Sequence, residues 1–259
     1  MELASQPPPG PFARYDTYMN TGGEVWRKRL QENIQRVRER IAQAAARCGR
    51  SPEEITLVAV TKYGPAEVAR ALVAEGLVDL GESRPQELWR KAEALADLPV
   101  RWHLVGHLQT NKVRRTLPLV QWIHSVDSPR LLAAIDAEAA HIPRRVAVLL
   151  EVNLSGEPAK HGWPPEAMDE AIQVAAGCHH VEVRGLMTMA PLTGGLAAAR
   201  QTFAGLRALR DRLQSLCPPQ VRLTELSMGM SGDLEVAIEE GATLVRVGSA
   251  LLEGVDLET

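Results

Sequence analysis

Residues 57–62 read LVAVTK, a β-prone apolar run that ends in a primary amine. Side chains alternate along a strand, so Val58, Val60 and Lys62 share one face and Leu57 and Ala59 the other. If the face of Lys62 looks inward, its amine stands at the mouth of a sheet, in partial contact with apolar walls. Burial disfavours the ammonium form, and a nearby arginine disfavours it further. A neutral amine is a nucleophile that condenses with aldehydes. From the strand alone, a lysine reaching into water is the plainer reading.

Two later segments supply a counterpart. SMGMSGD (227–233) offers two serines, Ser227 and Ser231, and two glycines, Gly229 and Gly232, before a helix that opens near Asp233. RVGSALL (246–252) offers Gly248 and Ser249 where a last helix can begin. Glycine lets a backbone come close to an anion, and free N–H groups at helix starts bind phosphate. Ordinary strand-to-helix turns also favour Gly and Ser, so neither segment decides alone. Together, opposite a strand-end lysine, they imply a phosphorylated aldehyde or ketone. Pyridoxal 5′-phosphate (PLP) and sugar phosphates are the two classes that fit.

These residues need elements to position them. Leu30, Ile34, Val37 and Ile41 recur at helical spacing within 24–47, and Gly49 is a plausible stop. From Ile55 onward, short apolar strands alternate with amphipathic helices. The strands begin with ITLVAVT and end with ATLVRVGS, giving eight strand segments. Strict alternation with short connections implies parallel strands and right-handed crossovers. Eight units predict a closed (β/α)8 TIM barrel in one α/β domain, 24–259, with an extra N-terminal helix. An open doubly wound sheet is the alternative. In a barrel the chemistry gathers at the C-terminal strand ends, where Lys62, Glu82, Ser83, His107, Asn153, Met187, Ser227 and Arg246 stand. His103 lies on the third strand as a contact or a packed barrel residue. Residues 1–23, rich in proline at their start, read as a flexible extension.

Bulk properties narrow the function. The 259 residues are 45% hydrophobic with a formal net charge of −3, so no global basic field points to nucleic acid. No apolar run approaches the roughly 20 residues that cross a bilayer. Three widely spaced cysteines, with no C-x-x-C, predict a cytoplasmic protein without a disulfide framework. Cys178, His179 and His180 are adjacent in sequence, and side chains so placed rarely converge on one metal ion.

Seven segments in order carry a family resemblance: VAVTK, GES-x-x-QE (81–87), WHLVGHLQTNK (102–112), EVNLSGEPAKHG (151–162), GLMTM (185–189), ELSMGMSGD (225–233) and VRVGS (245–249). From about residue 24 to the end, the chain resembles the PLP homeostasis proteins of the YggS type. These are single barrels like the N-terminal domain of alanine racemase, fold type III among PLP proteins. The resemblance implies a Schiff base between Lys62 and PLP. It implies a phosphate held by Ser227, Gly248 and Ser249, with help from the backbone at Met228 and Gly229. Arg246 would face the pyridine nitrogen, and Asn153 and Met187 would line the ring pocket. Ser83 departs from the family's usual asparagine, which removes an amide from the cofactor side. An arginine at the ring nitrogen weakens PLP as an electron sink. Related racemases add a second domain with a tyrosine, and here about ten residues follow Ser249. The expectation is a monomeric PLP carrier that maintains vitamin B6 and amino-acid homeostasis without turnover and passes PLP to apoenzymes. A PLP-dependent racemase or decarboxylase is the alternative, and an imine-forming sugar-phosphate lyase a third reading.

Overall fold

The computed structural model describes residues 13–62, 64–157, 161–218 and 221–255, with side chains from residue 25 onward. Helix α1 (Ala13–Arg47) leads into β1 (Thr56–Val60), α2 (Ala66–Ala74), β2 (Asp79–Glu82), α3 (Pro85–Ala94) and β3 (Arg101–Leu104). There follow α4 (Val113–Thr116), β4 (Val120–Val126), α5 (Pro129–Ala139), β5 (Val146–Glu151), α6 (Met168–Ala176) and β6 (Val181–Met187). The chain continues through α7 (Gly195–Gln214), β7 (Glu225–Ser227), α8 (Leu234–Glu239), β8 (Leu244–Val247) and α9 (Ser249–Leu252). The strands pair in sequence order and β8 pairs with β1, all in parallel, so the sheet closes as a barrel. The predicted (β/α)8 architecture is the one observed, and the open sheet is excluded.

Two boundaries differ from expectation. The first helix starts at Ala13 rather than near residue 24, so 13–23 are helical and not an irregular tail; residues 1–12 lie outside those described. The last proline before this helix is Pro11, and Gly22 and Gly23 each cost about 1 kcal/mol without removing a hydrogen bond. The connection after β3 is a 3-10 turn (Thr110–Lys112) followed by the single turn of α4. The last helix, α9, opens at Ser249, where the sequence allows one.

Two kinds of interior result. Outward strand residues and inward helix faces make the main apolar cluster, in which Leu30, Ile34, Val37 and Ile41 of α1 are buried as their spacing predicts. Helix α1 also grips the C-terminal units. Asn33 Nδ2 donates to the carbonyls of Leu251 (3.0 Å) and Glu253 (2.8 Å). Arg40 pairs with Glu235 of α8 (2.6 Å) and donates to the carbonyl of Ser231 (2.9 Å). Within the barrel lies a polar column. Asp79 meets His103 Nε2 (3.0 Å), His103 Nδ1 meets His124 Nε2 (2.9 Å), and His124 Nδ1 meets Ser227 Oγ (2.8 Å). Arg246 Nη1 donates to the same Ser227 Oγ (2.6 Å), which brings the column up to the C-terminal end of the strands. His103 is fully buried in this column, as a packed barrel residue.

Candidate cofactor pocket

The C-terminal mouth of the barrel holds a cavity of about 560 Å³. Lys62, Ser83, Glu151, Arg246, Gly248 and Ser249 are among the residues around it, with Val60, Val105 and Met189 as apolar walls. Alternation places Val60 and Lys62 on the same side, as the strand pattern predicts. The side chain of Lys62 is exposed, so the shelter expected from apolar walls is slight.

What fixes Lys62 lies just behind it. Thr61 is fully buried; its N–H donates to the Gly81 carbonyl (2.9 Å) and its hydroxyl to Glu82 Oε1 (2.6 Å). Lys91 of α3 is also buried, pairs with Glu82, and donates to the Thr61 carbonyl (2.6 Å). Glu82 Oε2 has no hydrogen-bond partner among the described residues. The GES motif thus contributes Glu82 to the support of β1, and Ser83 to the pocket wall. Lys91 was not singled out in the sequence, because a lysine in an amphipathic helix ordinarily reads as solvated.

Across the cavity, the β7–α8 loop and the start of α9 meet. The Ala250 N–H donates to Ser231 Oγ (3.1 Å), tying the two segments together. The backbone N–H groups of Ser231, Gly232 and Ser249 have no acceptor among the described residues. A Cβ on Gly232 would meet nothing within 4 Å, so space lies open before this loop. Backbone donors left open beside a cavity are of the kind that holds an anion.

Arg246 lies on the pocket floor, 5% exposed, and donates to Ser227 Oγ (2.6 Å) and the Thr188 carbonyl (3.0 Å). These bonds occupy two of its five N–H groups. No carboxylate pairs with it directly among the described residues. Burial lowers its pKa to about 10, with Glu151 and Asp233 opposing, so it remains charged at neutral pH. Burial and the nearby charge of Asp127 raise Glu151 to about 7, against the pull of Arg246.

Of the predicted site residues, the fold gathers Lys62, Arg246, Gly248 and Ser249 around one cavity. The rest stand elsewhere. Ser227 and Met228 are fully buried, and Ser227 spends its hydroxyl on His124 and Arg246 beneath the floor. Met187 is buried in register between Glu151 and Ser227. Gly229 has φ 91°, and a Cβ there would lie 2.5 Å from that of Ala237. Its carbonyl accepts from the Arg246 N–H (3.0 Å), so it shapes the turn rather than the wall. Asn153 holds the loop after β5, donating to the Glu157 carbonyl (2.9 Å). Met230, Ser231 and Gly232, from the same quoted motif, are the members of that loop that reach the cavity.

An α/β barrel with a lysine at the end of β1 and an anion cradle after β7 and β8 defines a class of phosphate-ligand barrels. Residues 27–254 match the family described as "Alanine racemase, N-terminal domain". A pyridoxal phosphate homeostasis protein of Aquifex aeolicus (strain VF5) is 44% identical over 220 residues, covering 85% of this chain and 96% of its own length. The structure of PipY from Synechococcus elongatus PCC7942, with PLP bound, superposes with a TM-score of 0.73 at 40% identity, covering 82% of this chain and 99% of that one. A protein of unknown function from Bifidobacterium adolescentis gives a TM-score of 0.82 at 38% identity over 88% of this chain and 96% of its own. The chain belongs to the pyridoxal phosphate homeostasis protein family, within the wider group that shares the N-terminal domain of alanine racemase.

Proposed function

We propose that this chain binds PLP at the mouth of its barrel and carries it covalently on Lys62, so serving intracellular vitamin B6 and amino-acid homeostasis. One observation carries the reading: Lys62 and the N–H groups of Ser231, Gly232 and Ser249, which have no acceptor among the described residues, border one cavity, with the Arg246 guanidinium on its floor. When bound, PLP supplies an aldehyde, for which a lysine amine is the matching nucleophile. The loop donors and Gly248 would hold the phosphate. Arg246 would donate toward the ring nitrogen. Being charged, it donates and cannot accept, so a nitrogen facing it stays unprotonated. An unprotonated ring is a weak electron sink, which favours carriage over amino-acid turnover. We place the protein in the cytoplasm, supported by three free cysteines, as a monomer that passes PLP to apoenzymes.

Added PLP is expected to give a visible absorbance band that borohydride bleaches, leaving a pyridoxyl group on Lys62 by peptide mass. Lys62→Ala is expected to lose both signals. A parent chain that takes up no PLP, or a label on another lysine, would overturn the reading. The turnover alternative draws on Glu151, whose carboxyl near neutrality could exchange protons at the pocket wall. Racemisation or CO₂ release from amino acids, lost in Glu151→Gln, would promote it.

A further inference from the structure

At the rim of the same cavity, two imidazoles and one carboxylate converge. His107 Nδ1 is 3.1 Å from Asp127 Oδ2, and His161 Nδ1 is 3.6 Å from the same oxygen. The two rings stack with centroids 4.2 Å apart and planes 15° from parallel. All three donor atoms lie within 4.8 Å of one another. We propose that His107, Asp127 and His161 form a three-ligand site for a divalent transition metal of the zinc class.

The donor spacing suits an ion once the stacked rings turn to aim both Nδ1 atoms at it. Metal–ligand bonds of about 2.0–2.1 Å in a tetrahedron set neighbouring donors about 3.3 Å apart. The two measured separations bracket that value. Two imidazoles and a carboxylate suit zinc and its neighbours rather than magnesium or calcium. The carboxylate is mostly buried, and its other oxygen is engaged: Ser128 Oγ donates to Asp127 Oδ1 (3.1 Å), leaving Oδ2 toward both rings. A hydroxyl that orients a ligating carboxylate is a usual outer partner of a metal site.

The fold also builds the site from three separate segments, each pinned. Asp127 follows β4. The His107 loop is tied to β4 where Ser125 Oγ donates to the Gly106 carbonyl (2.7 Å), and the next residue, Leu108, is buried. The His161 loop is tied to β4 and β5 by Trp163, whose Nε1 donates to the Val126 carbonyl (3.0 Å) and whose N–H donates to that of Glu151 (2.7 Å). Gly162 between them has φ 116°, and a Cβ there would stand 2.9 Å from the Asn153 nitrogen, so only glycine lets the loop lie this close. Three protein ligands leave a fourth position open. His107 and His161 both border the cavity, so that position is within reach of a phosphate or carboxylate group there.

The test is zinc titration of the full PLP-free chain by calorimetry, with cobalt(II) as a visible coordination probe. One zinc per chain is expected, bound about tenfold or more weakly in each of His161→Ala, His107→Ala and Asp127→Asn. His161 is 59% exposed, so its replacement leaves the fold intact, to be checked by circular dichroism. His179→Ala is expected to bind as the parent does. Absence of binding in the parent, or equal binding in the three ligand variants, overturns the inference. A chain that binds zinc but takes up no PLP keeps it while losing the carrier reading; uptake of PLP without zinc binding does the reverse.

Discussion

Lys91 shows how a charged residue can be part of the core. It is 1% exposed, and its ammonium is shared between Glu82 and the Thr61 carbonyl, directly behind Lys62. Removing one member of a buried pair leaves the other uncompensated, at a cost of about 3–5 kcal/mol. Lys91→Met is therefore expected to lower the unfolding free energy, read from urea titration, by that much. The double variant Lys91→Met, Glu82→Gln is expected to recover a large part of it. Additive losses would show that the pair does not act as a unit. If the pair seats Thr61, PLP attachment at Lys62 should slow in the single variant under conditions where it remains folded.

At the scale of elements, glycines divide into those that let strands and loops meet and those that leave room for a ligand. A Cβ on Gly185 of β6 would lie 1.9 Å from the Glu225 carbonyl oxygen of β7. Neither backbone can yield without opening the barrel, so Gly185→Ala is expected to cost at least about 2 kcal/mol. Gly232 has open space where its Cβ would stand. Gly232→Ala is expected to change stability by no more than about 0.5 kcal/mol yet to weaken PLP binding, because the methyl enters the anion cradle. Thermal melts beside PLP titrations separate the two effects. A Gly232→Ala protein that binds PLP as the parent does would place the phosphate elsewhere. Helix α1 belongs to this scale as well: through Asn33 and Arg40 it holds the carbonyls of Leu251, Glu253 and Ser231, and so steadies both sides of the cradle.

For the molecule as a whole, the polar column makes stability depend on pH. Burial pushes His124 well below the usual imidazole range, and its neighbours His103 and Arg246 disfavour its charged form further. Burial also lowers His103, although Asp79 opposes it. Both histidines are thus neutral when folded and regain an ordinary pKa of about 6.5 on unfolding. Below that value the unfolded chain binds more protons, so stability is full above about pH 6.5 and falls as pH drops toward the folded values. Asp79 adds to the loss at lower pH. Burial raises its pKa, but hydrogen bonds from His103 and Arg101 outweigh that and hold it below the usual carboxylate range. The urea midpoint is expected to fall measurably between about pH 6.5 and 5.5. A flat profile across that interval would mean that the histidines are not held neutral.

Local pattern was enough to define the strands, helices and barrel. Period-two alternation placed Val58, Val60 and Lys62 on one face, and helical spacing identified the buried stripe of α1, because both depend on neighbours in sequence. The same alternation explains why Lys62, Arg246 and Gly248 reach the cavity, while Ser249 reaches it from the start of α9. Which serine of SMGMSGD faces that cavity depended on tertiary structure: Ser227 ends inside the barrel against His124, and Ser231 emerges after the turn at Gly229. Likewise Lys91, Asp127, His107 and His161 acquire their partners across 9 to 34 positions of chain, which the pairing of successive strands brings within 4 Å. Sequence fixes the period of an element and the residue that ends it. The groups that meet at the mouth are set by how eight strand ends are staggered when the sheet closes on itself.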